Sequence, residues 1–198
     1  MAKLYFRYGA MNSGKTTALM QVAYNYKERG MRVLILKPAV DTKGQDCIVS
    51  RLGISCKVDV LVTPEMDVVE LVRADAAEHG APACILCDES QFFTPEQAEQ
   101  LFRVTVDLSI PVICYGLRAD FMMRGFPGST RLLELAHTIE ELKTICACGR
   151  KAICNGRKVN GEFVFEGAQV AIDTVDDVQY QSLCPQCWYR EYRAFLAR

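Results

Sequence analysis

The chain has 198 residues, half of them hydrophobic, which is enough for one well-packed domain or one domain with a small appendage. Its 23 lysines and arginines nearly balance its 24 aspartates and glutamates, so the charge does not favour electrostatic capture of nucleic acid or of an anionic membrane. The sequence has no signal-peptide pattern and no apolar run near the ~20 residues of a bilayer-spanning helix. We therefore expect a cytoplasmic protein with no nucleic-acid partner and no membrane partner.

Strands and helices are predicted to alternate through the first 140 residues. Apolar runs predict strands, in chain order, over residues 3–9, 32–38, 83–89 and 111–117. Helical spacing and capping residues predict the helices between them, over residues 14–30, 65–80 and 94–108. Uninterrupted apolar strands are typical of a parallel sheet that is covered on both faces. The sequence therefore predicts a doubly wound α/β domain over residues 1–142.

The stretch 143–198 has a different character. It holds two close cysteine pairs and the dipeptide Asn160–Gly161 between short β-prone segments. An Asn-Gly dipeptide in this setting predicts a tight type I′ hairpin. The residues after Cys184 have the pattern of a short helix. A segment of this size is too small to hold a strong core alone, and we interpret it as a small second domain.

The stretch GAMNSGKT (9–16) matches the phosphate-binding pattern G-x-x-x-x-G-K-[ST], with the required strand before it and helix after it. In such loops, backbone N–H groups surround the phosphates, the lysine reaches the β- and γ-phosphates, and the final hydroxyl holds Mg²⁺. The sequence has no N-K-x-D stretch for guanine, which favours ATP over GTP. We predict Thr16 as a magnesium ligand, and the ATP-binding residues as Gly9, Ala10, Met11, Asn12, Ser13, Gly14, Lys15 and Thr16.

Two neighbouring acids, Asp88 and Glu89, close the third apolar strand, at the edge where open parallel sheets bind ligands. A strand-terminal acid in a P-loop protein holds Mg²⁺, so we assign Asp88 to the magnesium and ATP. Because neighbouring strand positions face opposite sides, Glu89 can turn toward the acceptor of the γ-phosphate and act as its general base. Gln91 is a further candidate contact to ATP. Phe92 can stack on a flat ring, and we expect one of Phe92 and Phe93 to belong to the core.

Several motifs resemble the zinc-containing thymidine kinases of bacteria and animal cytosol, in family order and over nearly the whole chain. They are GAMNSGKT, SRLG (50–53), DESQFF (88–93), YGLRADF (115–121), CACGRKA (146–152) and YQSLCPQC (180–187). The resemblance implies a RecA-like P-loop parallel sheet with helices on both faces, plus a small zinc-binding domain with a substrate-covering lasso. It also implies transfer of the ATP γ-phosphate, with Mg²⁺, to the 5′-hydroxyl of thymidine or deoxyuridine.

The same resemblance assigns individual residues. Glu89 matches the catalytic base of the family, Lys15 its P-loop lysine, and Tyr180 the tyrosine at the end of the lasso. The positions that match the surroundings of the thymine ring are Met11, Phe92, Leu117, Phe121, Val170, Ile172 and Tyr180. Family members are usually homotetramers, and we expect the same here.

The chain departs from the family pattern in three places. Its lasso, residues 169–180, lacks the usual Gly-Gly and is about two residues longer. Lys43 stands where relatives often have arginine, and Asn155 falls near a threonine or serine that often contacts the base. The role of Arg118 also stays open between a polar contact, to substrate or to Asp120, and a solvated side chain.

The cysteines form two groups. Those in apolar runs, Cys84, Cys87 and Cys114, are expected in the core. The others form a C-x-C pair and a C-x-x-C pair with 35 residues between them, a spacing that favours zinc. The resemblance implies one closed structural Zn²⁺ site, with the ligands Cys146, Cys148, Cys184 and Cys187. Cys154 is a weaker candidate ligand.

Two other functions stay open from the residues alone. If Glu89 activates water, the chain is a P-loop ATPase whose zinc module binds a partner. A nucleotide-sensing zinc protein without enzymatic activity is the third possibility. The absence of a basic face argues against nucleic acid as the partner.

Overall fold

The computed structural model of the chain describes residues 1–40, 47–50, 53–169 and 177–198. The strands are β1 (Leu4–Tyr8), β2 (Val33–Pro38), β3 (Cys47–Val49), β4 (Ser55–Lys57), β5 (Val60–Val62), β6 (Cys84–Cys87), β7 (Val112–Gly116), β8 (Thr138–Glu141), β9 (Thr144–Ile145), β10 (Lys151–Ala152), β11 (Cys154–Val159), β12 (Glu162–Val164) and β13 (Val178–Leu183). The helices are α1 (Lys15–Lys27), α2 (Val68–His79), α3 (Pro95–Asp107), α4 (Pro127–Leu135) and α5 (Pro185–Leu196). A 3-10 turn, Ser90–Phe92, follows β6.

Six strands form one sheet in the order β5-β2-β6-β7-β1-β8, and every neighbouring pair is parallel. Strand β7 lies between β1, which leads into the phosphate loop, and β6, which leads into the acid pair. Because the carboxyl ends of parallel strands share one edge, these two loops open at the same edge of the sheet. This is the strand order of a RecA-like P-loop domain, and the predicted fold class is confirmed.

Helices cover both faces of this sheet. Apolar side chains of α2, α3 and α4 pack with Leu34, Ile85 and Cys87 on one face. Those of α1 pack with Ile35 and Leu86 on the other face. Successive residues of β2 and of β6 therefore enter opposite cores, which is why the strands read as continuous apolar runs.

The sequence does not predict strands β5 and β8 of this sheet, whereas the structure confirms the predicted start of α3. Strand β8 has the sequence TIEE and is largely exposed at the sheet edge, so it carries no apolar run. Strand β5 has only three residues. The start of α3 is as predicted: Thr94 caps it in a capping box with Gln97, and Pro95 follows at the first helical position.

The remaining strands and α5 form the smaller unit. Strands β12, β11 and β13 make an antiparallel sheet in that order, and β9 pairs with β10. The predicted type I′ hairpin is confirmed, because Asn160 and Gly161 both have positive φ, 51° and 84°. The core of this unit contains Cys146, Phe165, Trp188 and five further buried residues. The predicted boundary after Leu142 falls between β8 and β9.

No helix among the described residues is long and apolar enough to cross a bilayer.

Candidate active site

The phosphate loop joins β1 directly to α1, which begins at Lys15. The Gly9 N–H donates to the carbonyl of Gly116 over 3.3 Å, and this bond ties the start of the loop to the end of β7. The Lys15 ammonium is buried and donates to the Ala10 carbonyl over 3.0 Å. The Ser13 hydroxyl is buried and has no hydrogen-bond partner in the described part of the chain. A loop that holds a buried cation and an unsatisfied donor is suited to a phosphate.

Asp88 and Glu89 adopt different backbone conformations. The predicted reason for their separation was strand alternation alone, but Glu89 lies beyond the strand. Side chains of β6 alternate between the two cores, and continuing this alternation places Asp88 on the face of α1 and the phosphate loop. Asp88 is 4% exposed, and its N–H donates to the Leu36 carbonyl over 3.0 Å. Glu89 no longer belongs to the strand. It adopts a left-handed conformation (φ 44°, ψ 40°) at the start of the 3-10 turn, so the backbone itself redirects its carboxylate.

Gln91 holds the Glu89 carboxylate in place. Its Nε2 donates to Glu89 Oε2 over 2.6 Å, and its Oε1 accepts the Leu117 N–H over 2.9 Å. Gln91 is 2% exposed; its bond to Leu117 is buried, and its bond to the partly exposed Glu89 is partly buried. The amide therefore fixes one carboxylate oxygen of Glu89 relative to the end of β7. The sequence analysis assigned Gln91 to ATP, whereas its observed partners are the predicted base and the adjoining strand.

Apolar residues predicted around the base lie next to these polar groups. Phe93 is in the main core, as expected for one of the two phenylalanines. Phe92 is half-buried, and its ring packs edge-on against Phe126 at 5.7 Å between centroids. Leu117 and Phe121, at the carboxyl end of β7 and just beyond it, are buried. Phe92 follows Gln91 directly in the chain, and the Leu117 N–H is bonded to Gln91, so both residues adjoin the Gln91–Glu89 pair.

The four paired cysteines come together as a cluster. The sulfur atoms of Cys146, Cys148, Cys184 and Cys187 all lie within 4.8 Å of one another. The sulfurs of a tetrahedral Zn–S₄ site lie about 3.8 Å apart, because each Zn–S bond is about 2.3 Å. The first pair sits in the β9–β10 loop, and the second spans the first turn of α5. Cys154 lies outside this cluster, with its sulfur 3.6 Å from that of Met123.

Electrostatics in the cluster favour a bound cation. The backbone N–H of Cys187 lies 3.5 Å from the Cys184 sulfur and lowers the pKa of that thiol to about 6. Hydrogen bonds with Cys148 and then Cys184 raise the pKa of Cys187 to about 12. Four thiols this close cannot all ionise unless a positive charge offsets their mutual repulsion. A Zn²⁺ ion supplies that charge, so the four residues fit a structural zinc site.

Comparison with known proteins agrees with this geometry. A family model described as "Thymidine kinase" matches residues 2–188. The thymidine kinase of Ruegeria pomeroyi is 47% identical over 190 residues, covering 95% of this chain and 94% of that protein. The chain belongs to the thymidine kinase family. The thymidine kinase of Enterobacteria phage T4 is 44% identical, covering 95% and 96%, and that of Chromobacterium violaceum is 45% identical, covering 96% and 100%.

The comparison with solved structures gives a distant match to a protein of another kind. A replication initiator DnaA bound to AMPPCP and single-stranded DNA shares 16% identity, with a TM-score of 0.40. That likeness covers 72% of this chain and 41% of the DnaA chain. It is too weak to bear on function.

In this member of the thymidine kinase family, the smaller unit is hydrogen-bonded to the phosphate loop at Met11. The Met11 N–H donates to Asn155 Oδ1 over 2.8 Å, and the Ser182 hydroxyl donates to the Met11 carbonyl. Asn155 and Ser182 are cross-strand partners on β11 and β13. Asn155 Nδ2 also donates to the Ala119 carbonyl over 2.8 Å. We refer to these two side chains as the Met11 clamp. Asn155 thus holds two loops of the larger unit.

Sequence reasoning missed one further residue of the site, Arg157. Its guanidinium carbon lies 3.7 Å from the centre of the Phe121 ring, and its Nε donates to the Tyr180 hydroxyl over 3.1 Å. The signal was present, since Asn155 and Arg157 alternate along a strand and so share one face. Two long polar side chains on the buried face of a strand require partners. Nothing in the sequence named those partners.

Other predicted residues lie apart or outside the described residues. Val170, Ile172 and Lys43 fall among the residues that the structure does not describe. Arg118 is exposed, and its guanidinium lies over the Tyr8 ring at 5.5 Å. Asp120 accepts hydrogen bonds from the backbone N–H groups of Met122 and Arg124 and from the side-chain amide of Gln169.

Proposed function

We propose that the protein is an ATP:thymidine 5′-phosphotransferase, which transfers the γ-phosphate of ATP to the 5′-hydroxyl of thymidine or deoxyuridine. Membership of the thymidine kinase family supports the reaction class. The observation that carries the assignment to residues is the Glu89 carboxylate, held by Gln91 at the sheet edge that also carries the phosphate loop. A carboxylate fixed there is suited to accept a proton from the nucleophile.

The phosphate loop would bind the triphosphate of ATP. Its backbone N–H groups and the N-terminus of α1 attract the anionic oxygens, and Lys15 adds a buried positive charge. The residues assigned to this role are Gly9, Ala10, Met11, Asn12, Ser13, Gly14, Lys15 and Thr16, with Asp88 and Gln91 beside them. Thr16 and the buried Asp88 are oxygen donors suited to Mg²⁺, which when bound neutralises charge on the phosphates.

Glu89 acts on the acceptor. As the 5′-oxygen forms its bond to the γ-phosphorus, the bond from that phosphorus to the bridging oxygen of ADP breaks, and Glu89 takes the proton of the hydroxyl. The reaction is mostly a matter of alignment, because the phosphoryl group itself needs little covalent help. Gln91 restrains one oxygen of the carboxylate, which leaves the other to face the hydroxyl.

The nucleoside base would be enclosed by apolar and aromatic side chains. The residues assigned to it are Met11, Phe92, Leu117, Phe121, Val170, Ile172 and Tyr180. Flat rings such as thymine stack well on aromatic side chains. Met11 belongs to both sets, and the Met11 clamp fixes its backbone to the smaller unit. The structural Zn²⁺, held by the four cysteines, would stabilise the smaller unit without taking part in the chemistry.

A Glu89→Gln substitution tests the assignment of the base. Purified protein is incubated with ATP, Mg²⁺ and thymidine, and the nucleoside monophosphate and ADP are both quantified. We expect thymidine phosphorylation by the wild type and a loss of about 10²–10⁴-fold in kcat for Glu89→Gln, with ATP affinity kept. Glu78→Gln, on the exposed surface of α2, is the matched control.

Two results would contradict the proposal. If ADP accumulates steadily without any nucleoside and thymidine stays unmodified, the chain is an ATPase in which Glu89 activates water. If Glu89→Gln phosphorylates thymidine as fast as the wild type, Glu89 is not the base.

The proposal extends to assembly and location. A homotetramer is proposed from the family resemblance, and light scattering coupled to size exclusion tests it. A cytoplasmic location agrees with the cluster of four thiols, because an oxidising compartment favours disulfides over free thiols. Fluorescence microscopy of a tagged full-length chain tests the location.

A further inference from the structure

Arg157 is a buried cation that contacts two residues of the predicted base site, Phe121 and Tyr180. It lies on β11 and is 4% exposed. Its Nε donates to the Tyr180 hydroxyl over 3.1 Å, and its Nη1 and Nη2 donate to the carbonyls of Ala168 and Gln169 over 2.8 and 2.9 Å. One guanidinium therefore holds two segments that lie on either side of residues 170–176 in the sequence.

The same guanidinium also fixes an aromatic ring. Its carbon lies 3.7 Å from the centre of the Phe121 ring, a distance typical of a cation on an aromatic face. The Phe121 carbonyl is held independently, because it accepts the Trp188 indole N–H over 2.9 Å. Phe121 is 1% exposed, so both its ring and its backbone are fixed.

No carboxylate within the described residues forms an ion pair with Arg157. A buried charge in this situation is stable only when its donors and its faces are satisfied by other groups. Here the partners are two carbonyls of adjacent residues, one hydroxyl and an aromatic face, which together belong to three different segments of the chain. These contacts are suited to holding the Phe121 ring and the Tyr180 hydroxyl in place, rather than to stabilising the fold through an ion pair.

We propose that Arg157 is a positioning residue for the nucleoside: it fixes the Phe121 ring and the Tyr180 hydroxyl relative to each other, and the base binds beside them. This inference depends on the proposed function, because it assumes that the base binds beside Phe121 and Tyr180. Arginine suits the role because its planar fork makes three separate hydrogen bonds while its face stacks on a ring. Lysine carries the same charge but cannot reproduce that geometry.

The test compares Arg157→Lys and Arg157→Met with the wild type, with KM for thymidine and KM for ATP measured separately. We expect KM for thymidine to rise roughly tenfold in Arg157→Lys and further in Arg157→Met, since hydrogen bonds from a charged donor are lost. KM for ATP and the zinc content should change little. Arg103→Met is the matched control, because Arg103 is exposed on α3 and pairs with Asp107.

An equilibrium measurement separates binding from turnover. Trp188 is the single tryptophan of the chain and donates to the Phe121 carbonyl, so its fluorescence reports on the backbone that Arg157 helps to fix. Titration with thymidine should give a dissociation constant that rises with KM in both variants. Tyr180→Phe removes only the hydroxyl acceptor, and its effect combined with Arg157→Lys should be less than additive, because the two changes break one shared bond.

The outcomes distinguish this inference from the proposed function. If the wild type phosphorylates thymidine and Arg157→Lys keeps the wild-type KM for thymidine, the positioning role is wrong and the kinase assignment stands. If both KM values rise together while zinc content and melting temperature fall, Arg157 only supports the fold and the inference is overturned. If the wild type does not phosphorylate thymidine at all, the proposed function itself fails.

Discussion

Gln91 donates its side-chain amide to Glu89 over 2.6 Å while its carbonyl oxygen accepts the Leu117 N–H over 2.9 Å. One residue thus connects the predicted base to the carboxyl end of β7. Glu89 sits in a left-handed conformation that is unfavourable for a non-glycine residue by roughly 1–2 kcal/mol. The Gln91 bonds are among the contacts that hold it there, so the position of the carboxylate depends on the amide.

Gln91→Glu should shift the pH dependence of turnover. The substitution keeps an oxygen for the Leu117 N–H but places a second carboxylate beside Glu89. A like charge at this distance raises the pKa of the base, so Glu89 stays protonated to higher pH. Activity on the acidic side of the profile should fall and return as pH rises, so the acidic limb of the kcat profile should move to higher pH. Gln21→Glu, on the exposed face of α1, is the control, and an unshifted profile in Gln91→Glu would show that the pair is not coupled.

Gly128→Ala should destabilise the fold through a steric clash. A β-carbon at Gly128 would lie 2.2 Å from the Phe93 carbonyl oxygen, since α4 begins in direct contact with the segment after the 3-10 turn. Relief requires a backbone shift, and overpacking of this kind costs about 1–3 kcal/mol. Urea unfolding should show the loss. At Gly125, the added carbon would meet only the movable end of Thr130, so Gly125→Ala serves as control and should lose less.

The sequence predicted the parts of the fold that local chemistry determines. The phosphate loop, the capped α3 helix, the type I′ turn and the cysteine cluster each depend on residue types at fixed spacing. It could not predict β8, because an exposed edge strand needs no apolar pattern. Nor could it predict the partners of Asn155 and Arg157, since those partners lie between 11 and 144 positions away and only the folded chain brings their segments together.

Removal of the metal should unfold the smaller unit and leave the larger unit folded. We expect about one zinc ion per chain by mass spectrometry of metals, and its loss in Cys184→Ser, since a closed site needs all four ligands. Near-ultraviolet circular dichroism of Trp188, which lies in the core beside the cysteines, should weaken at the same time. Cys154→Ser should retain its zinc, because that sulfur lies outside the cluster. Zinc lost from Cys154→Ser but kept in Cys184→Ser would reverse the ligand assignment.

The Met11 clamp should couple the smaller unit to the phosphate loop. Asn155→Ala leaves the Met11 N–H and the Ala119 carbonyl without their shared partner, and Ser182→Ala removes the donor to the Met11 carbonyl. These backbone groups are partly buried, so the loss of each hydrogen bond should cost about 0.5–1.5 kcal/mol. We expect both variants to lower the free energy of unfolding and to raise KM for ATP and for thymidine, because Met11 belongs to both predicted sets.

A double-mutant cycle determines whether the clamp acts as one unit. Asn155 and Ser182 bond the N–H and the carbonyl of the same residue, Met11, so the double variant should lose less than the sum of the single losses. Asn155→Thr supplies one hydroxyl, which can accept one hydrogen bond and donate another but sits on a shorter side chain, and should give an intermediate KM for ATP. Additive effects in the cycle would mean that the two hydrogen bonds act independently and that the clamp is not one unit. Less-than-additive effects would instead show that the smaller unit sets the shape of the loop that binds phosphate.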